Sequence, residues 1–348
     1  MHKIIYTEKS WMESEGIEQV KKLSTLKGVV LAVGYPDLHP GKTPVGAAFI
    51  TEGIIYPHLI GNDIGCSISL FQTSTLRKKF KVEKVMKNLN NIDLIKISDR
   101  DKFNLGTIGK GNHFAEFTIV DEVVDKEEFN DLNLDKNRVH LLVHSGSRGL
   151  GESILRKHIE QFSCQNGLVE GSKGFRSYIN DYNEAITFSK RNRDLIAERL
   201  CDGINSSVEK LVIEAIHNGI DYKDKYYIHR KGAAPVDSGY VVIAGSRGTG
   251  SYIVKPINGC LDTGFSIAHG AGRKWQRNGC KEKLFGKYSK KDVKSGNFNY
   301  NLVCKDYNLI YEEAPEAYKN IDRVIEDLIK FNMIKVVAKL KPIITYKD

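Results

Sequence analysis

The sequence predicts an α+β protein in which layered, mixed β-sheets carry helices on their outside. Short apolar segments rich in β-branched residues, bounded by Gly, Pro or Asn, dominate the chain, whereas only three segments show helical periodicity. The content of 41% hydrophobic and 27% charged residues is ordinary for a globular domain. Because no break in composition divides the 348 residues, we expect one continuous domain over residues 1–348.

Six segments have the pattern of buried strands that end in sharp loops. They are residues 28–37, 45–57, 138–149, 224–232, 238–248 and 334–345. Helical periodicity appears at residues 153–164, 181–219 and 316–332. The last of these follows Pro315 and opens with an acidic residue, as helix N-termini prefer.

The cysteines and the apolar segments indicate the compartment. Six cysteines are scattered without a CxxC pair, which argues for reduced thiols and against a disulfide framework. No run of about 18 apolar residues is present, and the first residues do not have the pattern of a signal peptide. We therefore expect a cytoplasmic protein with no membrane partner.

Charge is distributed unevenly along a chain whose net charge is +9. Residues 273–294 hold nine Lys or Arg against two acids, with aromatic residues among and just after them. Such a segment suits a partner with a polyphosphate backbone, although a solvated, lysine-rich loop has the same composition.

Several loops that follow the predicted strands combine glycines with one or two side chains able to bind metals. These side chains are Asp37 and His39, then Asp63 and Cys66, then Asn112, His113 and Glu116, and finally His144. A thiolate, a carboxylate and imidazoles together suit Mn, Fe, Co or Zn rather than Mg or Ca, and a thiolate can bridge two ions. For any one of these histidines, a hydrogen-bonded structural role is the alternative.

Two further loops suit phosphate chemistry. The sequences GSRGLG (146–151) and GSRGTGS (245–251) allow close approach of the backbone to a phosphate, with Arg148 or Arg247 adding charge. Neither matches a P-loop or a dinucleotide fingerprint, and Gly-rich turns are common. In AHGAGR (268–273), His269 is a candidate nucleophile toward phosphorus whose small neighbours leave room for a phosphate, although a structural role is again the alternative.

Together these stretches resemble the RtcB RNA ligase family. The matching motifs, in the order of the family, are PDLHPGK, GNDIGCS, GKGNHF, HSGSRG, HRKGAAP, AGSRGTGSYIV, AHGAGR, EEAPEAYKNID and VVAKLKPII. They extend from about residue 34 to the C-terminus. The compact chain is most similar to the shorter subfamily found beside release factor H, which implies RNA repair and a functional link to a release-factor-like protein.

The resemblance implies an RtcB-like fold around a metal and nucleotide cleft, and a ligase that requires Mn(II), as one or two ions, and GTP. The enzyme would join an RNA 3′-phosphate or 2′,3′-cyclic phosphate to a 5′-hydroxyl, with His269 attacking the α-phosphate of GTP to carry GMP. The implied metal ligands are Asp63, Cys66, His113 and His144. Implied nucleotide contacts are Asn112 for the triphosphate, Glu116 and Lys347 for guanine, Tyr318 stacked on the base, and Ser246, Gly270, Ala271 and Gly272 lining the pocket. A monomer is expected.

One position departs from the family pattern. The family carries a His-Asn pair whose histidine is a further metal ligand, and the best-aligned stretch here, residues 202–210, has Asn205 in its place. The nearby pair His217-Asn218 lies too close to His229 to align comfortably. A metal position would then be weakened, moved or lost. This leaves two alternatives open: an RNA-end binder or cyclic phosphodiesterase without ligation, and a structural partner of a release-factor-like protein.

Overall fold

Two large β-sheets organise the computed structural model, which describes residues 1–94, 102–257, 259–288 and 299–347. The described helices are α1 (Ser14–Leu23), α2 (Val82–Asn90), α3 (Lys126–Leu132), α4 (Gly149–Phe162), α5 (Lys173–Gly203), α6 (Cys280–Leu284), α7 (Tyr307–Glu312) and α8 (Ile321–Lys330). The first nine described strands are β1 (His2–Ile4), β2 (Val29–His39), β3 (Val45–Glu52), β4 (Ile54–Ile55), β5 (Ser67–Leu76), β6 (Phe114–Val123), β7 (Arg138–Ser145), β8 (Leu168–Val169) and β9 (Val208–Ile216). The others are β10 (Asn218–Lys223), β11 (Tyr226–Lys231), β12 (Ala233–Pro235), β13 (Val241–Ile243), β14 (Ser251–Pro256), β15 (Ser266–Ala268), β16 (Leu302–Cys304) and β17 (Ile334–Lys347).

The larger sheet has eight strands in the order β13-β14-β17-β6-β7-β5-β9, with β16 beside the end of β17. The smaller one has five strands in the order β1-β2-β3-β11-β10. Most pairs are antiparallel, whereas β1–β2 and β16–β17 are parallel. The sheets are therefore mixed, as predicted.

The two sheets share one hydrophobic core, and helices cover their outer faces. Leu31 and Ile50 of the five-stranded sheet pack in one cluster with Ile243 and Val254 of the larger sheet and with Leu328 of α8. On another face of the larger sheet, α5 and α2 pack against β6 and β7. This layered α+β arrangement confirms the predicted fold class. No described helix has the length and apolar character needed to cross a membrane.

Helix α5 is the longest helix described, with 31 residues, and its sequence explains both its start and its orientation. The Ser172 side chain accepts a hydrogen bond from the backbone N–H of Phe175, which is an N-terminal cap. Its buried residues recur three or four positions apart: Tyr178, Tyr182, Ala185, Ser189, Asn192, Ile196 and Leu200. This spacing places one face of the helix against the sheet.

Two of the helix predictions need correction. Helix α5 begins before the predicted segment 181–219 and ends at Gly203, and residues 208–216 form strand β9, whose β-branched residues pair with β5. In the segment 316–332 the helix begins only at Ile321, where the Asn320 side chain caps the N–H of Asp322. Pro315–Ala317 form a short 3-10 turn, and Tyr318 is extended.

The antiparallel register brings several strand ends to one edge of the larger sheet. Ser67 at the start of β5 pairs with Ser145 at the end of β7 and with Ile216 at the end of β9. At the start of β6, Phe114 pairs with His144. Loops that are far apart in sequence, including residues 61–66, 109–113 and 146–149, therefore meet beside this edge.

Candidate active site

A cleft of about 1090 Å³ opens at this edge of the sheet. It is lined by all the site residues that the family resemblance implied: Asp63, Cys66, Asn112, His113, Glu116, His144, Ser246, His269, Gly270, Ala271, Gly272, Tyr318 and Lys347. Asp37, which lies behind the cleft wall, and His217, a further lining residue, complete the arrangement described below.

Three buried side chains at one end of the cleft form a cluster suited to a metal ion. Cys66, His113 and His144 each offer one ligand atom, and these atoms lie within 4.8 Å of one another. The His113 Nε2 atom lies 3.4 Å from Cys66 Sγ and 2.8 Å from Asp63 Oδ2. The four residues predicted as metal ligands therefore converge in space.

Hydrogen bonds and burial prepare the imidazoles for ligation. The Nδ1 of His144 lies 3.1 Å from the Asn112 carbonyl oxygen, and because a carbonyl only accepts, Nδ1 carries the proton. The Nε2 lone pair of His144 then points into the cluster, as in many metal-bound histidines. Burial lowers the pKa of His144 and of His217 well below the ordinary value. Both rings are therefore neutral, which is the form that binds metals.

The thiol of Cys66 needs a cation to become a ligand. Burial and the neighbouring Asp63 carboxylate raise its pKa well above the ordinary value, although Arg193 and Arg148 oppose this shift. A bound divalent ion would supply the positive charge that stabilises the thiolate in this buried place.

His217 corrects the expectation about the missing histidine. Its Nε2 lies 3.2 Å from Nε2 of His144, and its backbone N–H donates to the Cys66 carbonyl oxygen. Asn205 instead adopts a left-handed conformation and lines a separate cavity at the far end of β5. The structure thus brings His217, and not Asn205, beside the candidate metal ligands, which corresponds to a metal position that has moved along the sequence. A strand that ends at Ile216 delivers His217 beside Ser67, and the adjacent Asn218 was the sequence signal for it.

The loops that carry the candidate metal ligands are fixed by hydrogen bonds and close packing. Asn218 donates from its side chain to the Asp63 carbonyl oxygen and accepts from the N–H of Gly232. At Gly146 a Cβ atom would lie 2.4 Å from Asp63 Oδ1, so a side chain there would displace the carboxylate. The glycine of the HSGSRG motif therefore leaves room for Asp63.

Helix α5 supplies buried polar anchors for the same loops. Arg193 donates to the carbonyl oxygens of Gly65 (2.8 Å) and Ser145 (2.9 Å) and forms an ion pair with Glu214 (2.8 Å). The preceding Asn192 bonds the backbone of Gly106 and of the neighbouring residue Thr107. No sequence motif indicated this role, because an Asn-Arg pair in a helix is usually solvated.

Asp37, which the sequence offered as a metal-binding side chain, instead holds the ring of His269, the candidate nucleophile. The Nδ1 of His269 lies 2.7 Å from Oδ2 of the fully buried Asp37, which also accepts from the His269 backbone N–H. Nδ1 is therefore the protonated nitrogen, and Nε2 keeps its lone pair. The His269 ring centre lies 4.6 Å from that of His217, so the candidate nucleophile adjoins the metal cluster.

A second group of residues in the cleft is suited to a purine base. The Glu116 carboxylate accepts from the Thr345 hydroxyl at 2.7 Å, and burial raises its pKa to about 7. Lys347 donates to the carbonyl oxygens of Gly111 and His113, and burial lowers its pKa to about 8. The Tyr318 hydroxyl donates a hydrogen bond to the Glu313 carboxylate, which fixes the position of the ring.

Several cations line this cleft. Arg273 and Arg277 both pair with Glu313, and Arg148 and Lys231 line the wall. The first part of the basic stretch of residues 273–294 thus belongs to the cleft, whereas residues 289–294 and Phe298 lie outside the described residues. The positive wall is what a phosphate-rich ligand requires.

Comparison with known proteins agrees with the site. The family model described as "tRNA-splicing ligase RtcB" matches residues 19–93 and 93–348. The chain is 40% identical to "RNA-splicing ligase RtcB2" of Escherichia coli, with 99% of this chain and 95% of the relative covered. It is 26% identical to "tRNA-splicing ligase RtcB" of Nanoarchaeum equitans (96% and 92% covered) and 25% identical to that of Archaeoglobus fulgidus (95% and 91%). With its fold, its convergent motifs and these similarities, the chain belongs to the RtcB family of RNA ligases.

Proposed function

We propose that this RNA ligase depends on GTP and Mn(II) and joins RNA 3′-phosphate or 2′,3′-cyclic phosphate ends to 5′-hydroxyl ends through a histidine–GMP intermediate. The observation that carries the proposal is the position of His269. Its Nδ1 is bound by Asp37 and its ring adjoins a cluster of buried Cys and His side chains. A phosphorus nucleophile and a metal site thus share one cleft.

The residues present fit a divalent transition ion. Asp63, Cys66, His113, His144 and His217 would hold one or two Mn(II) ions, since their carboxylate, thiolate and imidazole groups are of the types that such ions bind. A bound ion would offset negative charge on the reacting phosphates. The buried Nδ1 of His113 has no hydrogen-bond partner among the described residues, and the ring is oriented by its Nε2 contacts and by edge-on packing against His144.

In the first step the Nε2 atom of His269 attacks the α-phosphorus of GTP. A P–N bond forms, the bond from the α-phosphorus to the bridging oxygen breaks, and pyrophosphate leaves. Asp37 keeps the proton on Nδ1 and stabilises the positive charge that develops on the imidazole, the role of the acid in a catalytic triad. Arg273 and Arg277, near the same wall, add positive charge.

In the second step an oxygen of the RNA 3′-phosphate takes GMP from His269, which breaks the P–N bond and forms a diphosphate. The 5′-hydroxyl oxygen then attacks the RNA 3′-phosphorus, GMP leaves, and the phosphodiester bond is made. A 2′,3′-cyclic end is first opened to a 3′-phosphate by addition of water. The positive wall of the cleft binds the RNA backbone during these steps.

The second group of cleft residues binds guanosine. Glu116 accepts from the N–H groups of the guanine edge, Lys347 adds a further donor, and Tyr318 stacks on the base. Asn112 binds the triphosphate, and Ser246, Gly270, Ala271 and Gly272 line the pocket. We propose that the chain acts as a monomeric, single-domain cytoplasmic enzyme of RNA repair with a functional link to a release-factor-like protein.

The test is incubation with GTP labelled at the α-phosphate and with Mn(II). We expect an acid-labile covalent adduct that His269→Ala abolishes and that Asp37→Asn lowers at least tenfold, because the amide cannot hold the proton on Nδ1 in the same way. The exposed His2 offers a matched control, and His2→Ala should form the adduct normally. Absence of an adduct with every divalent ion tried, or an adduct that survives in His269→Ala, contradicts the proposal.

The alternative of an RNA-end binder or a cyclic phosphodiesterase rested on the absent histidine. Because His217 lies beside His144, a histidine is available for the position that the sequence left without one, which favours ligation over this alternative and over a purely structural role. Opening of cyclic ends by a protein that forms no GMP adduct would restore the alternative.

A further inference from the structure

Arg247 carries a buried guanidinium group with unused hydrogen-bond donors. It lies in the loop between β13 and β14, lines the cleft and is only 6% exposed. Its Nη2 donates to the Ile310 carbonyl oxygen at 2.7 Å. Its Nε and Nη1 make no hydrogen bond to any residue that the structure describes. Buried donors are nearly always satisfied, so these two indicate a ligand.

The charge of Arg247 also has no carboxylate partner among the described residues. Glu313, the acid of this wall, is paired with Arg273 and Arg277. The Arg247 guanidinium instead lies 5.2 Å from the centre of the Tyr300 ring. A buried cation without an anion is costly to fold, and an electron-rich ligand group offsets that cost when it binds.

The local backbone supports this placement of the side chain. Gly248, one residue after Arg247, has a φ of +79°, and a Cβ atom there would lie 2.8 Å from the Tyr300 ring. Glycine thus lets Tyr300 pack closely beneath the loop while the guanidinium stacks on its ring. The orientation of Arg247 is therefore fixed before any ligand arrives.

Arg247 lies on the side of the cleft where the guanine contacts are proposed. Its guanidinium lies over the ring of Tyr300, and the carbonyl oxygen of the next residue, Asn301, accepts a hydrogen bond from the backbone N–H of Thr345. Two residues before Lys347, Thr345 donates to Glu116. The Arg247 guanidinium thus lies near the residues that would face guanine.

We propose that Arg247 is a specificity-determining residue that donates its free N–H groups to the O6 and N7 atoms of guanine. This inference rests on the proposed function, because it requires GTP in this cleft. Guanine presents two acceptors on this edge, which an arginine fork matches, whereas adenine presents an amino group at position 6 that would meet the donors of Arg247. Glu116 would take the opposite, N–H-bearing edge, so the two residues read different sides of the same base.

The test combines a change in the protein with a change of one atom in the nucleotide. Binding of GTP, 7-deaza-GTP and ATP is measured by calorimetry with wild type, Arg247→Met and Arg247→Lys. In wild type, replacing N7 by a C–H group should weaken binding about tenfold, as the loss of one contact of a bidentate pair. In Arg247→Met, GTP should bind about tenfold more weakly, 7-deaza-GTP should bind as well as GTP, and the preference for GTP over ATP should fall.

Arg247→Lys keeps the positive charge but cannot donate two parallel hydrogen bonds. It should therefore also lose most of the difference in affinity between GTP and 7-deaza-GTP, and it replaces Arg247→Met in the test if that variant does not fold. The exposed Arg323 offers a matched control, and Arg323→Met should behave as wild type. Equal weakening of GTP and 7-deaza-GTP by both Arg247 variants overturns the inference, because it indicates a structural role or a phosphate contact. Nucleotide binding without a covalent adduct in wild type would contradict the ligase mechanism alone, and the binding ratios would still decide the role of Arg247.

Discussion

At the scale of single residues, Glu116 and Lys347 show how burial adjusts two groups of one pocket in opposite directions. Burial disfavours the charged form of each side chain, which raises the pKa of the Glu116 carboxyl to about 7 and lowers that of the Lys347 ammonium to about 8. Both groups therefore change charge close to neutral pH. Each is also in contact with the protein framework, Glu116 with Thr345 and Lys347 with two backbone carbonyls.

We expect GTP affinity to be greatest between about pH 7 and pH 8. As the pH falls through about 7, Glu116 gains a proton and no longer accepts from both N–H groups of guanine. As the pH rises through about 8, Lys347 loses its positive charge. Calorimetric titrations from pH 5.5 to 9 measure the loss of GTP affinity at acidic pH and at alkaline pH. The Glu116→Gln variant should bind GTP more weakly, and its affinity should not fall further at acidic pH. If the affinity of Glu116→Gln falls at acidic pH as it does in wild type, another group is responsible for that loss.

At the scale of elements, α5 contributes to the site although none of its residues lines the cleft. Arg193 is fully buried and connects the loop before β5 to the end of β7, while its charge is balanced by Glu214 on β9. The helix thereby fixes the relative positions of Cys66 and His144, which come from those two strands.

Replacing Arg193 by Met should destabilise the protein strongly. The change leaves Glu214 without its buried partner and two carbonyl oxygens without donors, a loss of about 3–5 kcal/mol in the free energy of unfolding. Urea unfolding measures this loss. Arg191 lies on the same helix but is exposed and contacts only Glu198 at 3.5 Å, so Arg191→Met is the matched control and should change little. Similar effects of the two variants would contradict an anchoring role.

The sequence predicted elements best where one periodicity prevailed. Strand β7 and helix α4 have unmixed patterns: β7 begins at the predicted residue, and α4 covers most of the predicted segment 153–164 although it begins at Gly149. Residues 208–216 were predicted as helix because charged residues interrupt their apolar pattern, and the sheet partner β5, far away in sequence, decides that they form a strand. The same long-range pairing decides that His217 rather than Asn205 reaches the site. The motif residues of the cleft could be identified because they lie in Gly-rich loops, whereas Asp37 and Arg193 act through contacts that only the fold creates.

At the scale of the whole molecule, the candidate metal ligands come from separate parts of the fold. Cys66 precedes β5, His113 precedes β6, His144 ends β7 and His217 follows β9. An ion bound to these side chains would tie four strands of the larger sheet together at one edge. Because the unfolded chain cannot present this cluster, binding adds to the stability of the whole domain.

We therefore expect Mn(II) to raise the unfolding temperature, by an amount that grows with the logarithm of the ion concentration. At 100 times the dissociation constant the gain is about 2.7 kcal/mol. In Cys66→Ser the shift should be much smaller, because a hydroxyl does not replace an anionic thiolate ligand. Thermal melts with and without a chelator measure it, and elemental analysis counts the bound ions. The exposed Cys260 supplies the control Cys260→Ser, and equal shifts in both variants would exclude Cys66 as a ligand.

The position of β17 in the larger sheet bears on how the protein is made. This strand lies between β14 and β6, both of which are synthesised before it, and it carries Thr345 and Lys347 into the cleft. Until residue 347 has left the ribosome, β14 and β6 each keep an unpaired edge, and such edges invite pairing with other chains. Those edges therefore stay open until late in synthesis, and a chain that lacks β17 also lacks the part of the cleft wall that Thr345 and Lys347 form.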